Sequence, residues 1–297
     1  MERIQLRQDL SLSRLIYGMW RLGDDRETSP AHVVRKIKTC LDQGITSFDQ
    51  ADIYGDYGSE ALLGAALKSD RGLRARMEII TKCDICLISE NRPHHRVKHY
   101  DTSASHIQAS VDQSLRNMNI DHIDCLLLHR PDPLMDPAQT GAALEGLVQS
   151  GKVRALGVSN FRPWDWRLVQ GHMTTQLCTN QIEINPLALE SFTSGDLAEM
   201  QRDQLVPQAW SPLAGGQLFA DAAHPVGAHL ARLAAREAVG LDALLIAWLL
   251  YHPAQILPVM GSNDLGRIAR FSDAFSVPMT RQLWFEIYEA GLGSEVP

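Results

Sequence analysis

The chain has 297 residues and a formal charge of −7, with 35 acidic against 28 basic side chains. That length allows one large domain or two small ones and can bury a substantial core without cross-links, while the acidic balance argues against a phosphate-backbone partner. Five cysteines, an odd number scattered along the chain, suit reduced thiols, and the longest apolar run, "ALLIAWLLYHP", is too short for a membrane span. The opening "MERIQLRQDL" lacks the apolar core of a secretory signal, so the cytoplasm is the expected compartment, with no nucleic acid and no membrane as partners.

The first element, "RIQLRQDLSLSRL", alternates apolar and polar positions around a short polar turn and predicts a β-hairpin. Eight apolar strand candidates follow in order: "RLIYGM", "ITSFD", "MEIITK", "IDCLLLH", "RALGVSN", "CTNQIEI", "LVPQAW" and "QILPVM". Helical segments lie between them. Ser29-Pro30 and Asp136-Pro137 each read as an N-cap followed by proline at the first helical position. After Thr102, the residues Ile107, Val111, Leu115 and Met118 recur on one helical face. A last segment, "MTRQLWFEIYEAG", predicts an extra helix ending at Gly291.

Strand–helix alternation implies parallel strands joined by helical crossovers. Eight such units, with no composition break or repeat to mark a boundary, predict one α/β domain over residues 1–297: a (β/α)8 TIM barrel with an N-terminal β-hairpin and a C-terminal extra helix. The rival, an open doubly wound sheet, lacks its G-x-G-x-x-G after the first strand. Two features outside the barrel frame invite metal or redox chemistry. Cys83 and Cys86 form a lone C-x-x-C, and "CLISENRPHHRVKHYD" carries three histidines among basic residues with no convincing carboxylate ligand. Inert thiols and a solvated or lid-forming loop are the expectation, with no metal.

In such barrels, chemistry sits at the C-terminal ends of the strands. There the sequence places Asp49, with Tyr54 in the following loop, then Lys82, His129, Ser159 and Asn160, and Trp210 and Ser211. Singly, Asp49 is a loop or capping residue, Tyr54 a rim residue and His129 a hydrogen-bonded core histidine. Lys82 is harder to dismiss, because a strand-end ammonium in a barrel mouth needs a partner, and Asp49 is on the neighbouring strand. Together they suggest a proton donor for a carbonyl oxygen. A tyrosine ionises near ~10, a neighbouring ammonium lowers that value, an aspartate fixes the ammonium, and a histidine orients the carbonyl. The set has no hydride of its own, so a cofactor must supply one.

The segments "FDQADIYGDYGSE", "ITKC", "LLLHRPD", "GKVRALGVSNF", "NQIEINP", "QAWSPLAGG" and "GSNDLGRIARF" resemble, in order and over nearly the whole chain, the aldo-keto reductase superfamily, and "HRPDPLMDP" with the long third loop a bacterial branch of poorly defined substrate. The resemblance implies Tyr54 as general acid, Lys82 as its partner, Asp49 as the lysine's anchor and His129 as the substrate-orienting residue. It implies that Ser159, Asn160 and Gln181 hold the nicotinamide carboxamide. Trp210 stands where the family usually stacks a tyrosine on the nicotinamide. Gly18, Met19 and Trp20 would touch cofactor or line the substrate pocket, and Ser211, Leu213, Gly215 and Gly216 would lie along the pyrophosphate. Ser262, Asn263 and Arg267 match positions that contact the 2'-phosphate of NADP. Gly261 departs from a frequent lysine, and Arg270-Phe271 from a frequent Glu-Asn pair, with Arg270 placed to restore the positive charge. The implied activity is NADPH-dependent reduction of a small-molecule carbonyl, with NADH as the other cofactor to consider, by a monomer. Two rivals remain: a non-catalytic nicotinamide-sensing subunit on this fold, and a Schiff-base enzyme using Lys82.

Overall fold

A computed structural model describes residues 1–220 and 224–297 of the chain. Two short strands, β1 (Arg3–Arg7) and β2 (Leu10–Ser13), pair antiparallel as the predicted hairpin. The barrel strands are β3 (Ile16–Gly18), β4 (Ser47–Asp49) and β5 (Glu78–Cys83), then, after a two-strand ribbon of β6 (Ile85–Cys86) and β7 (His99–Tyr100), β8 (Ile123–Leu128), β9 (Val153–Ser159), β10 (Leu177–Glu183), β11 (Val206–Trp210) and β12 (Leu257–Met260). The order β3-β4-β5-β8-β9-β10-β11-β12 closes on itself, and every pairing in it is parallel. All eight predicted strands are therefore present in one closed (β/α)8 barrel, and their C-terminal ends share one mouth.

Two apolar layers build it. Alternate strand residues point inward, where Ile16, Ile80, Cys125, Leu127, Ala155 and Leu257 fill the barrel. Ile4, Leu10 and Leu12 of the hairpin join that same cluster, which makes the hairpin the barrel's bottom plug. The outward residues pack against the helices in a second, larger cluster. The predicted caps form: Ser29 Oγ accepts from the His32 N–H, and Asp136 Oδ1 from the Ala138 and Gln139 N–H groups. Helix 104–118 starts one residue later than the run after Thr102 suggests, capped by Ser103, and buries Ile107, Val111 and Met118.

The extra helix, Arg281–Leu292, corrects one expectation. It ends not at Gly291 but at Gly293, whose φ of 75° supplies the left-handed cap. Gly291 lies inside the helix for a different reason: a Cβ there would sit 2.2 Å from the Pro186 carbonyl oxygen. The helix docks by Trp284 stacking on Trp248 at 5.4 Å, each indole N–H donating to the other residue's carbonyl at 3.1 Å. No helix among the described residues is long and apolar enough to cross a membrane.

Candidate active site

The barrel mouth opens into a cavity of about 1170 Å³. At its floor stands a dense polar network. Lys82 Nζ, fully buried at the end of β5, donates to both Asp49 carboxylate oxygens at 2.7 Å, to the Gln50 carbonyl at 2.9 Å and to Tyr54 Oη at 2.9 Å. Register places Lys82 and Asp49 on adjacent strands, since β4 pairs Asp49 with Ile80. Because the ammonium donates to Tyr54 Oη, the phenol keeps its own proton to donate, and the Asp49 carboxylate is a nearby acceptor for it. Tyr54 and His129 both line the cavity, their rings edge-on with centroids 6.1 Å apart.

The backbone that presents Tyr54 is strained. Gly55, Asp56 and Tyr57 are successively left-handed, with φ of 57°, 52° and 67°. Only glycine suits the first of these, because a Cβ on Gly55 would also sit 2.5 Å from Ser59 Oγ. Behind the network, Asp84, itself at φ 92°, accepts from the His129 N–H at 2.6 Å and the Arg130 N–H at 3.2 Å, which fixes the start of the loop after β8.

Burial dominates the electrostatics of the resting site. Burial, reinforced by the Asp49 carboxylate, pushes the Tyr54 phenol well above its ordinary value. Burial also lowers Lys82, opposed by Asp49. Removing the phenolate from water is the largest cost, the Asp49 carboxylate adds to it, and Lys82 is hydrogen-bonded to hold the phenolate once it forms. Tyr54 therefore rests as a neutral phenol. Burial, then Lys82 and Arg130, drive His129 well below the ordinary histidine value, which makes it a neutral imidazole. Its Nδ1 is buried with no hydrogen-bond partner among the described residues.

One cavity wall carries the predicted amide and hydroxyl groups, tightly interlocked. Ser159 Oγ donates to the Gln181 carbonyl at 2.8 Å, and Asn160 Nδ2 to Ser159 Oγ at 2.9 Å. Trp210 Nε1 donates to Asn160 Oδ1 at 3.0 Å. Gln181 Nε2 donates to Asp49 Oδ1 at 2.8 Å, so this wall and the floor form one network. Gly18, Trp20, Ser211, Leu213, Gly215, Gly216, Ser262, Arg267 and Arg270 also line the cavity. A Cβ on Gly18 would approach Val259 Cγ1 to 2.9 Å and narrow the space between β3 and β12. Trp20 is a rim residue, 58% exposed.

Two predicted residues stand elsewhere. Met19 is buried in the outer apolar layer, its Sδ accepting from Gln50 Nε2, because the alternation that turns Gly18 to the cavity turns Met19 away. Asn263 is a clamp: its Oδ1 accepts from the buried Lys36 at 2.8 Å and its Nδ2 donates to the Arg21 carbonyl at 2.7 Å. Conversely, Lys98, Tyr100 and Arg130 line the cavity without having been anticipated. Arg130 could have been found as the neighbour of His129. Lys98 and Tyr100 could not, because only the β6–β7 pairing carries the long third loop to the mouth.

That loop is solvated along most of its length, as expected. It is tied down by β6–β7, and it gathers Cys86, His95 and His99, residues up to thirteen positions apart, into one cluster. The Cys83 and Cys86 thiols are free and buried, and burial pushes Cys83 well up and Cys86 to about 12, which disfavours the thiolate that C-x-x-C redox chemistry uses. The buried Lys82 amine is engaged by four oxygen acceptors, contacts it would have to give up to attack a carbonyl as a Schiff-base former.

Comparison with known proteins agrees with this geometry. The model of the aldo/keto reductase family matches residues 14–291, and the chain belongs to that family. It is 55% identical over 296 residues to a 6-dehydroglucose reductase of Agrobacterium fabrum and 46% identical over 301 residues to the uncharacterized oxidoreductase YcsN of Bacillus subtilis, covering all of both chains in each case. The fold matches that of the glycerol dehydrogenase AKR11B4 from Gluconobacter oxydans, with a TM-score of 0.84 over 99% of this chain and 97% of that one, at 23% identity. The protein is thus an oxidoreductase of the carbonyl-reducing aldo-keto reductase type.

The residues present fit a nicotinamide dinucleotide. The cavity runs from the Tyr54 floor to Arg267 and Arg270, two exposed guanidiniums free of ion pairs among the described residues. Gly215 and Gly216, at φ 63° and 96°, line the same cavity in a loop that also presents Pro212 and Leu213 to it.

Proposed function

We propose that the protein reduces an aldehyde to the primary alcohol with NADPH, and that its substrate is a carbonyl-bearing sugar of the 6-dehydroglucose kind. The reading rests on one observation above all: Tyr54 Oη accepts from the buried Lys82 ammonium at 2.9 Å, and Tyr54 lines the cavity together with His129.

The bound reduced nicotinamide would supply the hydride to the carbonyl carbon. Tyr54 gives its proton to the carbonyl oxygen as negative charge develops there, so the aldehyde gains one hydride and one proton. Lys82 becomes important at that moment: the phenolate left behind lies 2.9 Å from its ammonium, inside a low-dielectric floor where the attraction is strong. Asp49 keeps the ammonium in register. His129, as a neutral imidazole, donates a hydrogen bond to the carbonyl oxygen and adds no charge to compete with Lys82.

Ser159, Asn160 and Gln181 would hold the carboxamide, Trp210 would stack on the ring, and Ser211, Leu213, Gly215 and Gly216 would pass along the pyrophosphate. Ser262, Arg267 and Arg270 would take the 2'-phosphate, where two free guanidiniums favour NADPH over NADH. Support for the substrate class comes from the name of the Agrobacterium relative and from a mouth that offers Lys98, Tyr100 and Arg130 as hydrogen-bond donors to hydroxyl groups. The test is a coupled one. Purified protein should oxidise NADPH with 6-dehydroglucose as acceptor, and Tyr54→Phe should bind NADPH normally by tryptophan quenching yet turn over at background rate. Undiminished turnover by Tyr54→Phe would overturn the proton-donor assignment, and inactivity of the parent with this sugar but not with simpler aldehydes would overturn the substrate class alone.

A further inference from the structure

The cluster on the β6–β7 ribbon has the chemistry of a metal centre outside the reductase cavity. Cys86, His95 and His99 each offer one ligating atom, and the three atoms lie within 4.8 Å of one another. We propose that this ribbon binds one zinc-class dication through Cys86, His95 and His99, with His106 as fourth ligand, and that the ion pins the loop at the cavity mouth.

Three features argue for a built site. The first is register: Cys86 and His99 face each other as a paired position across β6 and β7, so two ligands are set by backbone hydrogen bonding. His95 and His99 follow the H-x3-H spacing common at structural zinc sites. The second is tautomer. His95 Nδ1 donates to the Leu87 carbonyl at 2.9 Å and His99 Nδ1 to the Val97 carbonyl at 2.8 Å. A carbonyl can only accept, so each Nδ1 carries the proton and each Nε2 keeps the lone pair a metal needs. This is the backing that metal-bound histidines use. The third is the fourth ligand. His106 Nε2 lies 4.0 Å from Cys86 Sγ, and its Nδ1 faces the Asp101 carboxylate at 3.8 Å.

Sulfur with imidazole nitrogens in a tetrahedral set suits zinc. Bonds of about 2.0–2.3 Å imply ligand separations of about 3.5 Å, so uptake would draw Cys86, His95 and His99 in by roughly 1 Å, while His106, outside that three-atom cluster, would close further on the other histidines. His99 is exposed and free to make that move. Binding forms a sulfur–metal bond and releases the Cys86 thiol proton to solvent. The nearby cations Arg92, Arg96 and Lys98 oppose a dication, while the thiolate so formed and Asp101 offset it. The consequence for the enzyme follows from position. Ile85, Lys98 and Tyr100, each next to a ligand in the chain, line the reductase cavity, so a filled site would hold these walls in place.

The experiment uses tag-free, full-length protein, chelator-stripped under reducing conditions and titrated with cobalt(II). One equivalent should produce the thiolate charge-transfer band and the visible bands of tetrahedral cobalt, both abolished by one equivalent of zinc. Cys86→Ser should lose the charge-transfer band, and His95→Ala and His99→Ala should each weaken binding at least about tenfold. His94→Ala, which removes a neighbouring ring outside the set, should leave the titration unchanged, and circular dichroism checks that each variant is folded. No saturation at one equivalent, or spectra unaltered in folded Cys86→Ser, would overturn the proposal. Either result leaves the carbonyl-reductase reading untouched, because the readout is metal binding and not turnover.

Discussion

The two ends of the reductase cavity are built on opposite principles. At the floor, Lys82 and Asp49 are buried, every ammonium proton is used, and the strands on either side permit little movement. At the far end, Arg267 and Arg270 are exposed and free of ion pairs among the described residues. The floor is organised before any ligand arrives, which is what charge development during a reaction requires. The far end is solvated and screened, which suits a phosphate group that must bind and leave within each cycle. Burial thus gives strong interactions at the cost of adaptability, and exposure the reverse.

The largest effect should come from the one floor atom with a proton to give. Tyr54→Phe is expected to lower kcat by about 10²–10⁴-fold with little change in the NADPH dissociation constant, read by single-turnover absorbance and tryptophan quenching. A comparable loss of cofactor affinity would mean that the floor is a binding surface and the contrast is misdrawn.

Next comes the buried pair. Lys82→Met leaves Asp49 as an uncompensated buried charge and should destabilise the fold by about 3–5 kcal/mol in urea denaturation, whereas Asp49→Asn combined with Lys82→Met should recover much of that stability without activity. If Lys82→Met is as stable as the parent, the floor is more hydrated than its geometry indicates.

A smaller effect tests the floor's low dielectric through a residue that is not in the proton path. Asp52 has one carboxylate oxygen sealed from solvent without a partner, and burial raises its pKa to about 7 from 3.8, against a hydrogen bond from Ser110. Its folded value lies above its unfolded one, so the folded state holds the proton more tightly. Stability is undiminished below 3.8, falls as pH rises between the two values, and is fully diminished above about 7. Asp52→Asn removes that penalty, so it should stabilise by on the order of 2 kcal/mol at about pH 8 and by much less at about pH 5, measured by urea midpoints. A gain equal at both pH values would assign the effect to packing instead.

The smallest effect belongs to the exposed end. Arg267→Ala should weaken NADPH binding by about tenfold and leave NADH nearly unchanged, and added salt should shrink the difference. A loss that salt does not reduce would make this end as desolvated as the floor.

The barrel was legible because eight apolar strand runs alternate with capped helices, and local signals such as Ser29-Pro30 and Asp136-Pro137 act within a few residues. The candidate floor was legible for the same kind of reason: strand-end Asp49, Lys82 and His129 must converge once parallel strands close into a ring. Misreadings cluster where a residue's direction or a neighbour's field matters. Met19 and Asn263 belong to motifs beside the cavity, yet backbone alternation turns one into the outer core and Lys36 captures the other. The raised Tyr54 follows from its burial first and the Asp49 carboxylate second, neither of which residue identities reveal.

By itself, then, the sequence determined the strand and helix periods, the parallel closure and the set of polar side chains at the mouth, because these follow from local propensity and from a period that survives any packing. Only the tertiary structure decided which of those side chains face the cavity, how their charges offset one another, and that Cys86, His95 and His99 meet on one ribbon. Distance, burial and dielectric belong to the folded arrangement, and a slip of one residue in a strand would turn every side chain on it to the other face.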